Sequence, residues 1–409
     1  MNIPQPGRHS RRDYRPGELL VRLQPGAGFS ADVLDQLGGE VLHRFEFPTA
    51  NLMKGGEMLH LQLPKGTTTA EAMAALEHDP RVTYAAPNDI IHVDQGLAGK
   101  TSVPNDLDKK LWGLQAIQSP AAWETTRGSR NGPVIAVLDT GCDVNHPDLR
   151  DNLWTNPKEI PGNGLDDDGN GVVDDVHGFF PKENNGNLTD KLGHGSHTAG
   201  TIGAVGNNGQ GITGINWEAQ IMPIKIFDSQ GQTDVALIAR GLEYAARHGA
   251  RITSNSWGGT EPNPALEDAF KSCPALHIAA CGNSGLDTDI VPHYPSSIPL
   301  ANMISVAASD RRDRLASFSN FGAESVDLAA PGVDIYSTFP KGRYKTQSGT
   351  SMACPHVSGV AALIATAYPE ASHEEIRSRL LEGVDLSPSL RGKVASGGRL
   401  NAAKALAPR

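Results

Sequence analysis

Apolar positions along this chain follow one rhythm before residue 95 and another after 107. In the front part, residues 17–23 (GELLVRL), 40–47 (EVLHRFEF) and 58–64 (MLHLQLP) are short apolar or alternating runs that predict strands. Residues 30–38 (SADVLDQLG) and 68–79 (TTAEAMAALEHD) predict helices, the first with Ser30 as its cap and a glycine as its stop. VTYAAP at 82–87 predicts a last strand. The order βαββαβ is that of a small α+β unit of the ferredoxin-like type. By itself such a unit is a generic small binding module.

Residues 95–107 (QGLAGKTSVPNDL) are small, polar and broken by Gly and Pro, as in a linker. Beyond them, short apolar strands at 134–139, 221–227, 251–257, 276–281 and 303–309 alternate with helical stretches such as 235–247 and 264–271. Buried strands joined by helices predict an α/β domain with a doubly wound parallel sheet. The expected divisions are an extension at 1–16, the small unit at 17–94, the linker at 95–107 and the large domain at 108–409.

Composition sharpens this picture. The chain holds 45 glycines among 409 residues, which suits an α/β protein with many tight loops. It carries 36 basic against 46 acidic residues and no basic run, so nucleic acid is not an expected partner. No eighteen consecutive apolar residues occur, so no membrane span is expected. The basic stretch 1–15 has no apolar core of a signal sequence; secretion, with the signal missing from this sequence, is favoured over the cytoplasm. Four cysteines (Cys142, Cys273, Cys281 and Cys354) are too few to be a disulfide framework for this length.

Three segments carry chemistry. Asp139 closes the strand VIAVLD, at the C-terminal sheet edge where open α/β sheets place ligands. His194 sits in GHGSHTAGTIGA, whose small residues let a helix begin close to a strand. His197, three residues on, lacks the glutamate and third ligand of a zinc site, so a packed or hydrogen-bonded role is expected. Ser351 lies in SGTSMACPHVSGVAALIA, with Pro355 placing it at the start of a helix. A helix N-terminus favours developing negative charge. Serine, a base and an orienting carboxylate are together what acyl transfer needs, although a turn-forming Asp and an N-cap Ser are the blander readings of each alone.

DTGCDVNHPDL, GHGSHTAGTIGA and GTSMACPHVSG, in that order, resemble the three signature segments of the subtilisin family. The resemblance runs from about Trp112 to GGRLNAAKAL at the chain end. It implies a serine endopeptidase with Asp139, His194 and Ser351 as its triad and protein or peptides as its substrates. It further implies Asn283 as the oxyanion donor and Ser256, Trp257 and Gly258 as the strand that pairs with substrate. Ser284, where an acidic residue often follows the oxyanion Asn, argues against a strong preference for basic side chains. Cys142, Cys281 and Cys354 then read as packing residues. The front domain resembles the family's inhibitory prodomain, an intramolecular partner whose tail lies in the cleft. Self-processing is expected within 94–107, with Leu97 favoured over Asp94, and the expected state is a monomer. A peptide ligase or cyclase on this fold and a non-catalytic peptide binder are the alternatives.

Calcium is expected at two places. Asp148, Gly206, Asn208, Gln210 and Ile212, with Asp108 from the mature N-terminal arm, resemble the family's strong site. The segment DDDGNGVVDD (166–175) holds six aspartates or asparagines in ten positions. There Asp166, Asp168, Asn170 and the Val172 carbonyl fall at EF-hand positions 1, 3, 5 and 7, with Asp174 at 9 and Asp175 replacing the missing Glu.

Overall fold

A computed structural model describes residues 14–24, 39–45, 57–93 and 110–408. The expected helix at 30–38, the linker and Asp108 lie outside the described residues.

The large domain is built on a sheet of eight strands in the order Asp385–Leu386, Gly398–Arg399, Leu328–Pro331, Met303–Ser309, Leu276–Ala280, Ala250–Asn255, Val134–Asp139 and Gln220–Lys225. From Leu328–Pro331 to Gln220–Lys225 every neighbouring pair is parallel. The central strands are buried throughout, as parallel strands covered on both faces must be. The helix Thr350–Ala367 packs on one face with His194–Gly203, and Val235–Arg247 and Pro264–Ser272 cover the other. Among the described residues Thr350–Ala367 has the length and apolarity of a membrane span, yet 89% of it is buried in the domain core.

The front domain contributes an antiparallel sheet in the order Glu40–Arg44, Met58–Gln62, Tyr14–Leu23, Val82–Val93, with the helix Thr69–Leu76 against it. That is the strand order of a ferredoxin-like unit. Thr68 and Glu71 close a reciprocal capping box on the helix. The first strand begins at Tyr14, three residues inside the expected extension.

The last strand runs to Val93, six residues beyond its expected end. Those extra residues leave the front domain: Ile90, Ile91 and His92 pair antiparallel with Asp234, Thr233 and Gln232. On the other edge His92 and Val93 pair with Gly258 and Trp257. One polypeptide strand therefore lies between two short strands of the large domain. The polar triplet Gln232–Asp234 has no strand pattern of its own and acquires one only through this partner.

Further contacts dock the two domains. Leu20, Phe45 and Met58 join the same buried cluster as Val235, Ile238 and Leu266. The Asn88 side chain accepts the Ala236 N–H at 2.8 Å, satisfying an open donor at a helix start. Tyr84 donates to Asp268 at 2.7 Å, and His43 meets Glu243 at 2.8 Å.

Candidate active site

Asp139 ends its strand fully buried. Its Oδ1 accepts the Thr140 N–H at 2.7 Å and faces His194 Nδ1 at 2.8 Å; Oδ2 accepts the Thr198 hydroxyl at 3.2 Å. The bond to Asp139 fixes the imidazole through its Nδ1 edge. Helix His194–Gly203 can start this close to the strand because of Gly195: a Cβ there would stand 2.1 Å from the Gly141 carbonyl oxygen. A residue that sequence reading missed, Asp190, holds the approach. Its carboxylate accepts the Gly193 and Ser196 N–H groups at 2.7 and 2.9 Å and the Thr140 hydroxyl at 2.9 Å.

Ser351 is the second residue of the helix Thr350–Ala367. Pro355 lies deeper than the first turn, contrary to the expectation from its missing N–H. That gap deprives the Ser351 carbonyl of its helical donor, and the Ser256 hydroxyl replaces it at 3.0 Å. In return Ser351 Oγ donates to the Ser256 carbonyl at 3.1 Å. Ser351 and Ser256, the expected nucleophile and the expected substrate-pairing segment, are thus tied by two bonds.

Asn283 accepts the Thr350 N–H at 2.8 Å and the Thr350 hydroxyl at 3.0 Å through Oδ1. Both acceptances orient the amide, and Nδ2 makes no hydrogen bond among the described residues. A fixed donor beside a helix N-terminus is the arrangement an oxyanion requires.

Nearby groups are out of the reaction. His197 Nε2 donates to the Ile335 and Lys345 carbonyls at 3.0 and 3.1 Å, and burial pushes its pKa down to about 3. All four cysteines are buried and none is in a disulfide. Burial raises the Cys354 thiol, as it raises Cys142, and takes Cys273 to about 12, so none of these three is a thiolate nucleophile at neutral pH.

Similarity to known proteins agrees with this geometry. The subtilase family model matches residues 130–396, and the model of the fervidolysin N-terminal prodomain matches 5–88. The chain belongs to the subtilase family. It is 38% identical over 308 residues to thermitase of Thermoactinomyces vulgaris, covering 74% of this chain and 99% of the relative. Similarity to an intracellular serine protease of Paenibacillus polymyxa is 42% over 257 residues, 62% of this chain and 72% of that one. Among solved structures, fervidolysin from Fervidobacterium pennivorans, a keratinolytic enzyme related to subtilisin, superposes with a TM-score of 0.77 at 25% identity. That match covers 98% of this chain and 62% of the fervidolysin chain. This subtilase is therefore a subtilisin-type serine protease with a fervidolysin-like prodomain in front.

The two groups of expected metal ligands fare differently. Asp148, Asn208 and Ile212 come together, but as a closed network. Asp148 accepts Asn208 Nδ2 at 2.7 Å, the Ile212 N–H at 2.9 Å and the Tyr344 hydroxyl at 2.8 Å. Asn208 Oδ1 is turned to the Gln210 N–H at 2.8 Å. In the acidic loop Asp166 and Asp168 converge with Glu159, their ligand oxygens all within 4.8 Å. Glu159 precedes the loop motif and carries no sequence signal for this role. Asp174 is turned away, accepting the Gly162 and Gly164 N–H groups at 2.9 and 3.1 Å. Asp175 is engaged by Asn156, Asn170 and Tyr244 at 3.0, 2.9 and 2.6 Å.

Proposed function

We propose that this subtilase is a self-processing endopeptidase zymogen. Ser351 Oγ attacks the peptide carbonyl, His194 takes its proton and returns it to the leaving amine, and Asp139 holds the imidazole and balances its charge. Asn283 Nδ2 and the helix N-terminus stabilise the oxyanion. The observation that carries this reading is the strand ending at Val93, seated between Gln232–Asp234 and Trp257–Gly258 and directed to the Ser256–Ser351 pair. Main-chain pairing on both edges binds extended peptide with little regard to most side chains, which suits protein substrates. The same seating makes the front domain an inhibitor that must be cut and displaced. Asn283→Ala is expected to lower kcat about 10²–10³-fold with KM nearly unchanged, the size found for the equivalent donor of subtilisin, a relative. Steady-state kinetics on a peptide amide test this; an unchanged kcat removes Asn283 from the mechanism.

Calcium belongs to the same proposal, first in the acidic loop. Glu159 Oε2 is buried without a hydrogen bond among the described residues, and burial with the nearby Asp175 and Asp167 charges raises its pKa. Three hard carboxylates, one of them with an unsatisfied buried oxygen, fit a calcium ion, with Asn170 and the Val172 carbonyl as further ligands. The ion would neutralise the mutual repulsion and fasten the loop. Around Asp148 the donors already in place must be displaced, which makes that site the weaker one. Calcium at a hundred times its Kd is expected to stabilise the folded chain by about 3 kcal/mol per site. In melting curves Glu159→Gln should lose the acidic-loop share. Identical curves with calcium and with chelator would remove both sites.

A further inference from the structure

Helix His194–Gly203 begins without a cap of its own. Gly193, at its N-terminal boundary, has no side chain and a left-handed backbone, φ 81°, so the open N–H groups of the first turn must find acceptors elsewhere. Asp190, in the loop just ahead, supplies them. Its carboxylate, 5% exposed, accepts five hydrogen bonds. Oδ1 takes the Thr140 hydroxyl at 2.9 Å and the Leu192 and Gly193 N–H groups at 3.2 and 2.7 Å. Oδ2 takes the Ser196 N–H at 2.9 Å and the Ser196 hydroxyl at 2.8 Å. Lys225, buried close by, donates to the Thr189 carbonyl at 2.6 Å and leaves the Asp190 charge to the dipoles around it.

Both hydroxyls pass the connection on. Ser196 Oγ accepts the Asp143 N–H at 2.9 Å, and Thr140 Oγ1 accepts the Gly195 N–H at 2.9 Å. The Thr140 N–H donates in turn to Asp139 Oδ1 at 2.7 Å, the same oxygen that meets His194 Nδ1 at 2.8 Å. One carboxylate therefore sews the turn at 139–143, which carries Asp139, to the first turn of the helix that carries His194. An amide of the same shape cannot do this. Asn at position 190 would set an NH2 group either against the Leu192 and Gly193 N–H groups or against that of Ser196, and a backbone N–H cannot turn away to find another acceptor.

We infer that Asp190 is a positioning residue for proton transfer: with Thr140 as its relay, it sets where the Asp139 carboxylate and the His194 ring stand relative to each other. This rests on the endopeptidase reading above. Asp190 acts through Asp139 and His194 and not on the substrate. Proton transfer needs its partners within hydrogen-bond reach, and a misplacement of about 1 Å costs on the order of 10²-fold in rate. The expected substrate-pairing residues Ser256–Gly258 and the expected oxyanion donor Asn283 belong to other elements, so the binding of substrate should be little affected.

The test uses Asp190→Asn, Thr140→Val and Thr140→Ser chains, each matured by tagged wild-type enzyme that is then removed. A fluorophosphonate counts the competent Ser351 sites, and kcat on a peptide amide is expressed per labelled site. Asp190→Asn is expected to lower kcat per site about 10²-fold while KM changes less than about two-fold. Thr140→Val should lose a similar amount, and Thr140→Ser, which keeps the hydroxyl, should recover most of it. The Asp190→Asn/Thr140→Val double variant should cost no more than the worse single, because both break one link. A role confined to stability would reduce the number of labelled sites and leave kcat per site unchanged; that result overturns the inference and leaves the endopeptidase reading standing. Where Asp190→Asn does not fold, the Thr140 pair decides: Thr140→Val with wild-type kcat per site, or Thr140→Ser as poor as Thr140→Val, overturns it equally. Wild-type enzyme that neither labels nor cuts any peptide overturns both.

Discussion

Ser351→Ala is expected to lower kcat about 10⁶-fold and to leave the chain full-length. The magnitude is that seen when the nucleophile of subtilisin, a member of the same family, is removed. The substitution deletes one hydroxyl whose bond is to the Ser256 carbonyl at 3.1 Å, while the opposite bond, from the Ser256 hydroxyl to the residue 351 carbonyl at 3.0 Å, uses only backbone and remains. The helix start and the cleft should therefore survive, and the melting temperature should change little. Because the strand ending at Val93 occupies the cleft in cis, loss of the nucleophile should also arrest maturation. Purified Ser351→Ala chain, incubated alone, should keep its front domain on a denaturing gel, and added wild-type enzyme should remove it. Unaided maturation of the purified variant would show that another group or another protease makes the cut. His194→Ala should cost a similar amount, since the two residues act as one unit and their losses do not add.

How much of this was legible beforehand depended on whether a residue's role was local. Asp139, His194 and Ser351 each sit where an element begins or ends, inside long segments of small residues, and those segments are readable as strings. Five strands of the large sheet were readable because they are almost wholly buried and each carries a short run of apolar residues. Leu328–Pro331 was not, being four residues long and ending in proline. Gln232–Asp234 could not be found in the sequence at all, since its strand conformation is imposed by the peptide paired with it. The same applies to the final strand of the front domain, whose apolar pattern suggested an end at 87 while its partners lie in the other domain. Glu159 accepts the Asp167 N–H eight residues on and Asp190 the Gly193 N–H three residues on, with no motif to announce either. Asp174 shows the opposite case: its spacing fits a ligand loop, but a left-handed backbone, φ 51°, turns the carboxylate back to cap its own turn.

Mild acid is expected to destabilise the folded chain well before its carboxylates titrate, because three histidines are buried neutral. His197, His277 and His356 are at most 1% exposed. Burial lowers their pKa values to about 3, about 4 and about 4 respectively. Desolvation holds each neutral even though its carbonyl acceptors favour the charged ring: His277 Nε2 donates to Phe270 and Cys273 at 3.0 and 3.2 Å while Nδ1 meets the Thr253 hydroxyl at 2.7 Å. His356 Nδ1 donates to Met352 at 2.8 Å. In the unfolded chain all three titrate near about 6.5. Between that value and the depressed folded values the unfolded state binds more protons, so stability falls as pH falls and is fully present only above the unfolded pKa. From pH 7.5 to pH 5 the loss is about 2 kcal/mol per histidine, or about 6 kcal/mol for three independent sites. Carboxylates with lowered pKa, such as Asp228 and Asp385, add their own loss only below this window. Urea unfolding of Ser351→Ala, which cannot digest itself, measures the difference directly. His277→Gln supplies both an acceptor and a donor without a titrating group, and on that background the pH 7.5 to 5 loss should shrink by about 2 kcal/mol. An unshrunken loss in that variant would mean that His277 is protonated in the fold, and would contradict the desolvation of a ring that is 0% exposed.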